Sequence, residues 1–185
     1  MEITADVVRE ILEYDPETGR ISWKTRSVEW FRGTVGRTPE HACNHWNARH
    51  VGKSPGSTDT WGHIQIRLFG RLYAAHRLVW LHVTGKWPDD QIDHIDGNPA
   101  NNAFSNLRLA TNAQNSRNKR LSKSNSSGVK GVYWAKDRRK WGAAIRVNYR
   151  RIHLGFYEKI EDAEAAYAKA SMQHHRDFGR TSRKE

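Results

Sequence analysis

The run Leu121-Ser122-Lys123-Ser124-Asn125-Ser126-Ser127-Gly128 contains a single aliphatic residue and has the composition of a flexible linker. One hydrophobic core cannot continue through it, so the 185-residue chain is expected to fold as modules on either side. A hydrophobic fraction of 37% agrees with several small cores better than with one deep one. The expected division is an N-terminal extension over 1–60, a core module over 61–120, the linker over 121–128 and a second module over 129–181. Cys43 is the only cysteine, which excludes an intrachain disulfide and zinc sites built on paired cysteines. No 18-residue apolar stretch occurs, and no basic region precedes an apolar run near Met1. The expectation is a soluble, unsecreted protein with no membrane partner.

Charge narrows the partner. The net charge is +11, and it is uneven: residues 1–60 carry −1, residues 61–120 carry +4 and residues 121–185 carry +8. An acidic polymer is the natural ligand, and the C-terminal third is its electrostatic footprint.

Periodicity places the elements. Apolar residues at Ile3, Val7, Ile11 and Leu12 predict a short helix, and Asp15-Pro16-Glu17-Thr18-Gly19 then turns the chain into a hairpin. Residues 25–60 show no regular pattern. Alternation over 63–68, a Phe69-Gly70-Arg71 turn and Leu72-Tyr73-Ala74-Ala75 predict a β-hairpin. A helix follows, ending at Gly85. Short strands are predicted at 91–95 and 106–110, the first closing on an Asp96-Gly97 turn. Thr111 and Gln114 form a capping box, so a helix is predicted to begin at Asn112.

Asp93, His94, Asn106 and Asn115 then fall at the junctions of a β-β-α unit. Asp and Asn oxygens are hard ligands suited to one Mg²⁺ or Mn²⁺. A neutral histidine beside such a cation can take a proton from water near pH 7. Together these residues describe metal-assisted hydrolysis of a phosphodiester. Asp96, Asn98, Asn101 and Asn102 are read as shaping the loop, and His76 as a packed or surface residue. His41, Cys43, His45 and His50 match no standard zinc spacing.

The strings Asp93-His94-Ile95-Asp96-Gly97-Asn98, Asn101-Asn102, Ser105-Asn106-Leu107-Arg108 and 112–118 closely resemble the HNH nucleases, particularly phage and homing-type enzymes. Ala75-His76-Arg77-Leu78, Trp87-Pro88 and the Tyr14–Gly19 opening are similar to that family as well. The resemblance implies a ββα-metal fold, with Asp93 and Asn115 as metal ligands, His94 as general base and Asn106 orienting His94. It implies one divalent cation per site and a phage protein acting in the cytoplasm of its host. The last motif position is Asn where other branches have His, which keeps an oxygen ligand there.

Beyond the linker, three strands are predicted over 129–135, 140–148 and 151–157, followed by a helix over 161–173 with Ala163, Ala166, Tyr167 and Ala170 on one face. Trp141, Ala143, Ile145 and Val147 share one strand face. In the third strand Ile152, Leu154 and Phe156 are expected inward, with Arg151, His153 and Tyr157 outward. This module resembles the AP2 DNA-binding domain, found elsewhere fused to HNH nucleases. The resemblance implies a three-stranded antiparallel sheet packed on one helix, with Lys130, Tyr133, Trp134, Lys136, Lys140, Arg146, Arg151 and His153 facing double-stranded DNA. The fold class expected overall is α+β. The leading reading is a metal-dependent DNA endonuclease, the alternatives being an inactive DNA-binding regulator and an RNA-binding protein.

Overall fold

The computed structural model describes residues 2–118, 121 and 124–179. The chain divides into two compact units, Met1–Leu109 and Ala110–Glu185. Each is a mixture of helices and small antiparallel sheets. Residues 122 and 123 of the expected linker, 119 and 120 at the end of the expected core module, and 180 and 181 of the second module lie outside the described residues.

The first unit opens with α1 (Ala5–Ile11), whose N-cap Thr4 accepts a hydrogen bond from the Val7 amide. Strands β1 (Leu12–Tyr14) and β2 (Ile21–Trp23) form the expected hairpin. Helix α2 (Pro39–His50) lies in the stretch whose sequence showed no pattern. Its start carries ordinary signals, an N-cap Thr38 with Pro39 next to it. It has no apolar stripe, because only Cys43 is buried. It is held instead by Arg26, whose guanidinium sits 4.0 Å from the Trp46 ring centroid and whose backbone pairs with Asn47.

A three-stranded sheet follows: β3 (Ser57–Thr58), β4 (Ile64–Leu68) and β5 (Arg71–Ala74). Phe69 and Gly70 close the β4–β5 hairpin with φ of 47° and 83°, the paired positive values of a tight hairpin turn. Helix α3 (Ala75–Thr84) ends on Gly85 in the left-handed conformation. It buries Leu78, Val79 and Leu81 against Val8, Ile11, Leu12, Ile66 and Leu68. Strands β6 (Gln91–His94) and β7 (Leu107–Ala110) pair beside this core and contribute Ile92 and Leu107 to it.

The second unit contains α4 (Asn112–Asn118), then β8 (Val132–Ala135), β9 (Lys140–Val147), β10 (Arg150–Tyr157) and α5 (Ile160–His175). The capping box forms as the sequence predicts: the Thr111 amide donates to Gln114 Oε1 at 2.8 Å, and Thr111 Oγ1 accepts from the Gln114 amide. The sheet is antiparallel in the order β10-β9-β8, and its inner face packs Val132, Ala143 and Ile145 toward Ala163, Tyr167 and Ala170 of α5. Gly131, at φ 74°, lets the Tyr167 ring approach so closely that a Cβ there would lie 2.1 Å from it.

In β10 the expected facing changes partway. A bulge between His153 and Gly155 inserts one residue, so Phe156 pairs with Gly142 on the outer face. There Phe156 contacts His153 and lies under Arg138. Tyr157, expected outward, packs on the core with Leu154. Strict alternation could not reveal that extra residue.

Candidate active site

Asp93 and His94 end β6, and both are buried, at 3% and 6% exposure. The neighbouring strand β7 supplies Arg108, whose Nε donates to Asp93 Oδ2 at 2.9 Å while Nη2 lies 2.8 Å from the same oxygen. A buried carboxylate needs such a partner, and the strand pairing delivers one.

His94 meets Asn102. The two side chains approach at 3.3 Å, Nε2 to Oδ1, while Asn102 Nδ2 donates to the Ala100 carbonyl. An acceptor opposite Nε2 places the imidazole proton there and leaves Nδ1 as the basic nitrogen. Burial holds the His94 imidazole below the ordinary histidine range. The Asn102 hydrogen bond and the Asp96 and Asp93 carboxylates oppose that shift, and His63 reinforces it.

Asn102 is itself fixed from the N-terminal hairpin. Tyr14 Oη donates to its carbonyl at 2.9 Å, and the Phe104 amide donates to the Pro16 carbonyl. Gly19 is pressed against this segment, since a Cβ there would lie 2.2 Å from the Ala103 nitrogen. The Tyr14–Gly19 turn therefore buttresses the residue that touches His94.

Asn106 acts through the loop. Its Oδ1 accepts from the Asp96 amide, and its Nδ2 donates to Asp96 Oδ1 and to the Asn101 carbonyl. Asp96 also accepts from the Asn98 amide and from Asn101 Nδ2. Burial pushes the Asp96 carboxyl up, but these donors outweigh it and hold it below the usual carboxylate value. The loop-shaping roles read for Asp96, Asn98 and Asn101 thus describe the structure, whereas Asn102 does more than shape the loop.

Two further histidines close on His94. His63, just before β4, and His76, in the first turn of α3, have ring centroids 5.9 and 5.1 Å from that of His94. Burial, the other two histidines and Arg77 push His76 down to about 3. The sequence had set His63 on the polar side of a strand alternation and gave no signal that it joins this group. His41, His45 and His50 form no comparable cluster among the described residues.

In the second unit Asn115 occupies the first turn of α4, its amide bonded to the Thr111 carbonyl. Strand register places Tyr133, Lys140, Arg146, Arg151 and His153 on the outer face, with Lys136 exposed in the turn after β8. Arg151 lies 4.8 Å over the Tyr133 ring, and Tyr133 Oη is 3.5 Å from His153 Nδ1. Trp134 falls on the opposite face, against Trp141, and half-buried Lys130 donates to the Arg117 carbonyl. No helix among the described residues is long and apolar enough to cross a membrane.

Residues 73–117, which include Asp93, His94, Asn102 and Asn106, match the HNH endonuclease family. Protein 3.8 of Escherichia phage T7 is 48% identical over 71 residues, 38% of this chain and 59% of its own length. A protein of Acanthamoeba polyphaga mimivirus described as an uncharacterized HNH endonuclease is 52% identical over 59 residues, 31% of each chain. The chain thus spans about three-fifths and under one-third of these two relatives. No solved structure matches. The segment that carries Asp93, His94, Asn102 and Asn106 is thus similar to an HNH endonuclease domain, and the chain has phage and viral relatives.

Proposed function

We propose that the chain is a metal-dependent endonuclease that hydrolyses phosphodiester bonds of double-stranded DNA, with an AP2-type second module binding the target. The observation that carries this reading is His94: buried, held neutral, proton fixed on Nε2 by Asn102, and adjacent in sequence to a clamped carboxylate. The donors present fit a hard cation. Asp93 brings a carboxylate oxygen and Asn115, by its place in the motif, a neutral amide oxygen, the set that suits Mg²⁺ or Mn²⁺. When bound, that ion neutralises charge developing on the phosphate oxygens.

The remaining chemistry belongs to the chain. His94 Nδ1 accepts a proton from water as the water oxygen forms its bond to phosphorus and the bond to the leaving oxygen breaks. Asn102 keeps the ring in the tautomer whose lone pair lies on Nδ1. Asn106 fixes the loop that carries Asn102, and Arg108 holds Asp93 in place by one oxygen.

The second unit supports the binding role through its antiparallel sheet on one helix and its basic outer face. Strands of this kind enter the major groove, with Arg and Lys also holding phosphates. The DNA-facing set proposed is Tyr133, Lys136, Lys140, Arg146, Arg151 and His153; Lys130 and Trp134 are otherwise engaged.

Incubation of the full chain with matched duplex DNA and RNA, with and without Mg²⁺ or Mn²⁺, tests the proposal. Metal-dependent cutting of DNA is the expected result. Binding without cutting would favour an inactive regulator, and preference for RNA would favour an RNA-binding protein.

A further inference from the structure

His63, His76 and His94 present one ring nitrogen each within 4.8 Å of one another. This is a different donor set from the oxygens of Asp93 and Asn115, because it contains three imidazoles and no carboxylate. Imidazole nitrogens suit borderline transition metals, zinc among them, over Mg²⁺. His76 Nδ1 is buried with no hydrogen-bond partner, an arrangement that ordinarily costs stability unless something binds there. Behind His63 stands Asp59, its Oδ2 3.7 Å from Nδ1, as carboxylates stand behind metal-bound histidines. Asp59 is fixed in turn by the Trp61 and His63 amides and by Gln65 Nε2.

Tetrahedral zinc with bonds of about 2.0–2.1 Å needs nitrogens roughly 3.4 Å apart. The cluster must therefore contract by at most about 1.4 Å. Rotation of the half-exposed His63 side chain can supply that movement. The same exposure gives the ion a route in.

We propose that His63, His76 and His94 form an inhibitory site for Zn²⁺, in which the ion withdraws His94 from proton transfer. The inhibitory half rests on the reading of His94 as the base; the binding half does not. With three protein ligands the fourth position is left to water, and the bound imidazole of His94 has no lone pair to accept a proton.

The experiment has two arms, both on the full chain. In the first, without DNA, Zn²⁺ affinity is measured by competition with a chromophoric chelator, and Co²⁺ replaces zinc to report geometry by visible absorption. The expected result is one tight zinc, a four-coordinate cobalt spectrum, and a loss of about 100-fold in affinity in His63→Gln, with affinity retained in Asp93→Asn. Circular dichroism confirms that His63→Gln is folded, and His76→Gln provides a second removal of a ligand. Equal zinc affinity in wild type and both histidine variants would overturn the site. In the second arm, cleavage in excess Mg²⁺ is titrated with Zn²⁺: wild type is inhibited and His63→Gln resists. Zinc that binds the trio yet supports cleavage would overturn the inhibitory role. A chain that binds zinc here but never cuts DNA would refute the nuclease reading and leave the site standing; one that cuts but binds no zinc would do the reverse.

Discussion

Replacing Arg108 by Met keeps the aliphatic stem and removes the guanidinium that clamps Asp93. The pair is well shielded, with side-chain exposures of 4% for Asp93 and 18% for Arg108. Removing one partner of a buried pair costs about 3–5 kcal/mol, since the other charge stays behind in a poor solvent for it. For a unit of roughly 100 residues, 1 kcal/mol moves Tm by about 4–8 °C, so the first unit should melt at least about 12 °C lower. The assay is thermal unfolding followed by near-UV circular dichroism of the first unit's tryptophans, with and without Mn²⁺. A cation at Asp93 replaces the lost positive charge, and at a hundredfold excess over its Kd it returns about 2.7 kcal/mol. Mn²⁺ should therefore stabilise Arg108→Met more than wild type. A loss below about 1 kcal/mol would refute the buried clamp, and equal stabilisation of both proteins by Mn²⁺ would refute the placement of the metal at Asp93.

The buttress, the pH response and the binding face make further predictions. Gly19→Ala places a methyl against the Ala103 nitrogen at φ 72°, so it should cost about 1–3 kcal/mol and lower cleavage by displacing Asn102; unchanged denaturant midpoint and activity would exclude the buttress. With the His94 value lowered by burial, the base stays neutral into mild acid, and the acid limb of kcat/KM against pH should lie below about 6.5. His76 at about 3 takes up its proton more readily in the unfolded chain, so stability is complete above about pH 6.5 and falls by up to about 4 kcal/mol as pH drops toward 3; His76→Gln should flatten that slope. Arg146→Ala and Arg151→Ala should each reduce the salt slope of DNA affinity by about 1, with cleavage at low salt retained.

The motif residues were legible because their chemistry is local. An Asp-Gly turn, a Thr-to-Gln capping box and the alternation of β4 each depend on residues a few positions apart, and each formed as expected. Helix α2 was not legible, because a cation on aromatic rings holds it in place of a periodic apolar face. Asn102 was seen only as a loop former, since its contact with His94 depends on Tyr14 and Gly19, more than 80 residues earlier in the chain. His63 was missed for the same reason: nothing in an alternating strand tells where a histidine meets two others from α3 and β6.

The most direct test of the central claim is cleavage of supercoiled plasmid by wild type and His94→Ala, in Mg²⁺ and in excess EDTA, with DNA affinity measured alongside. Wild type should give nicked or linear product only in the presence of metal, and His94→Ala should lose roughly 10²–10⁴-fold in cleavage with DNA affinity little changed. Full activity in His94→Ala, or in excess EDTA, would contradict that claim.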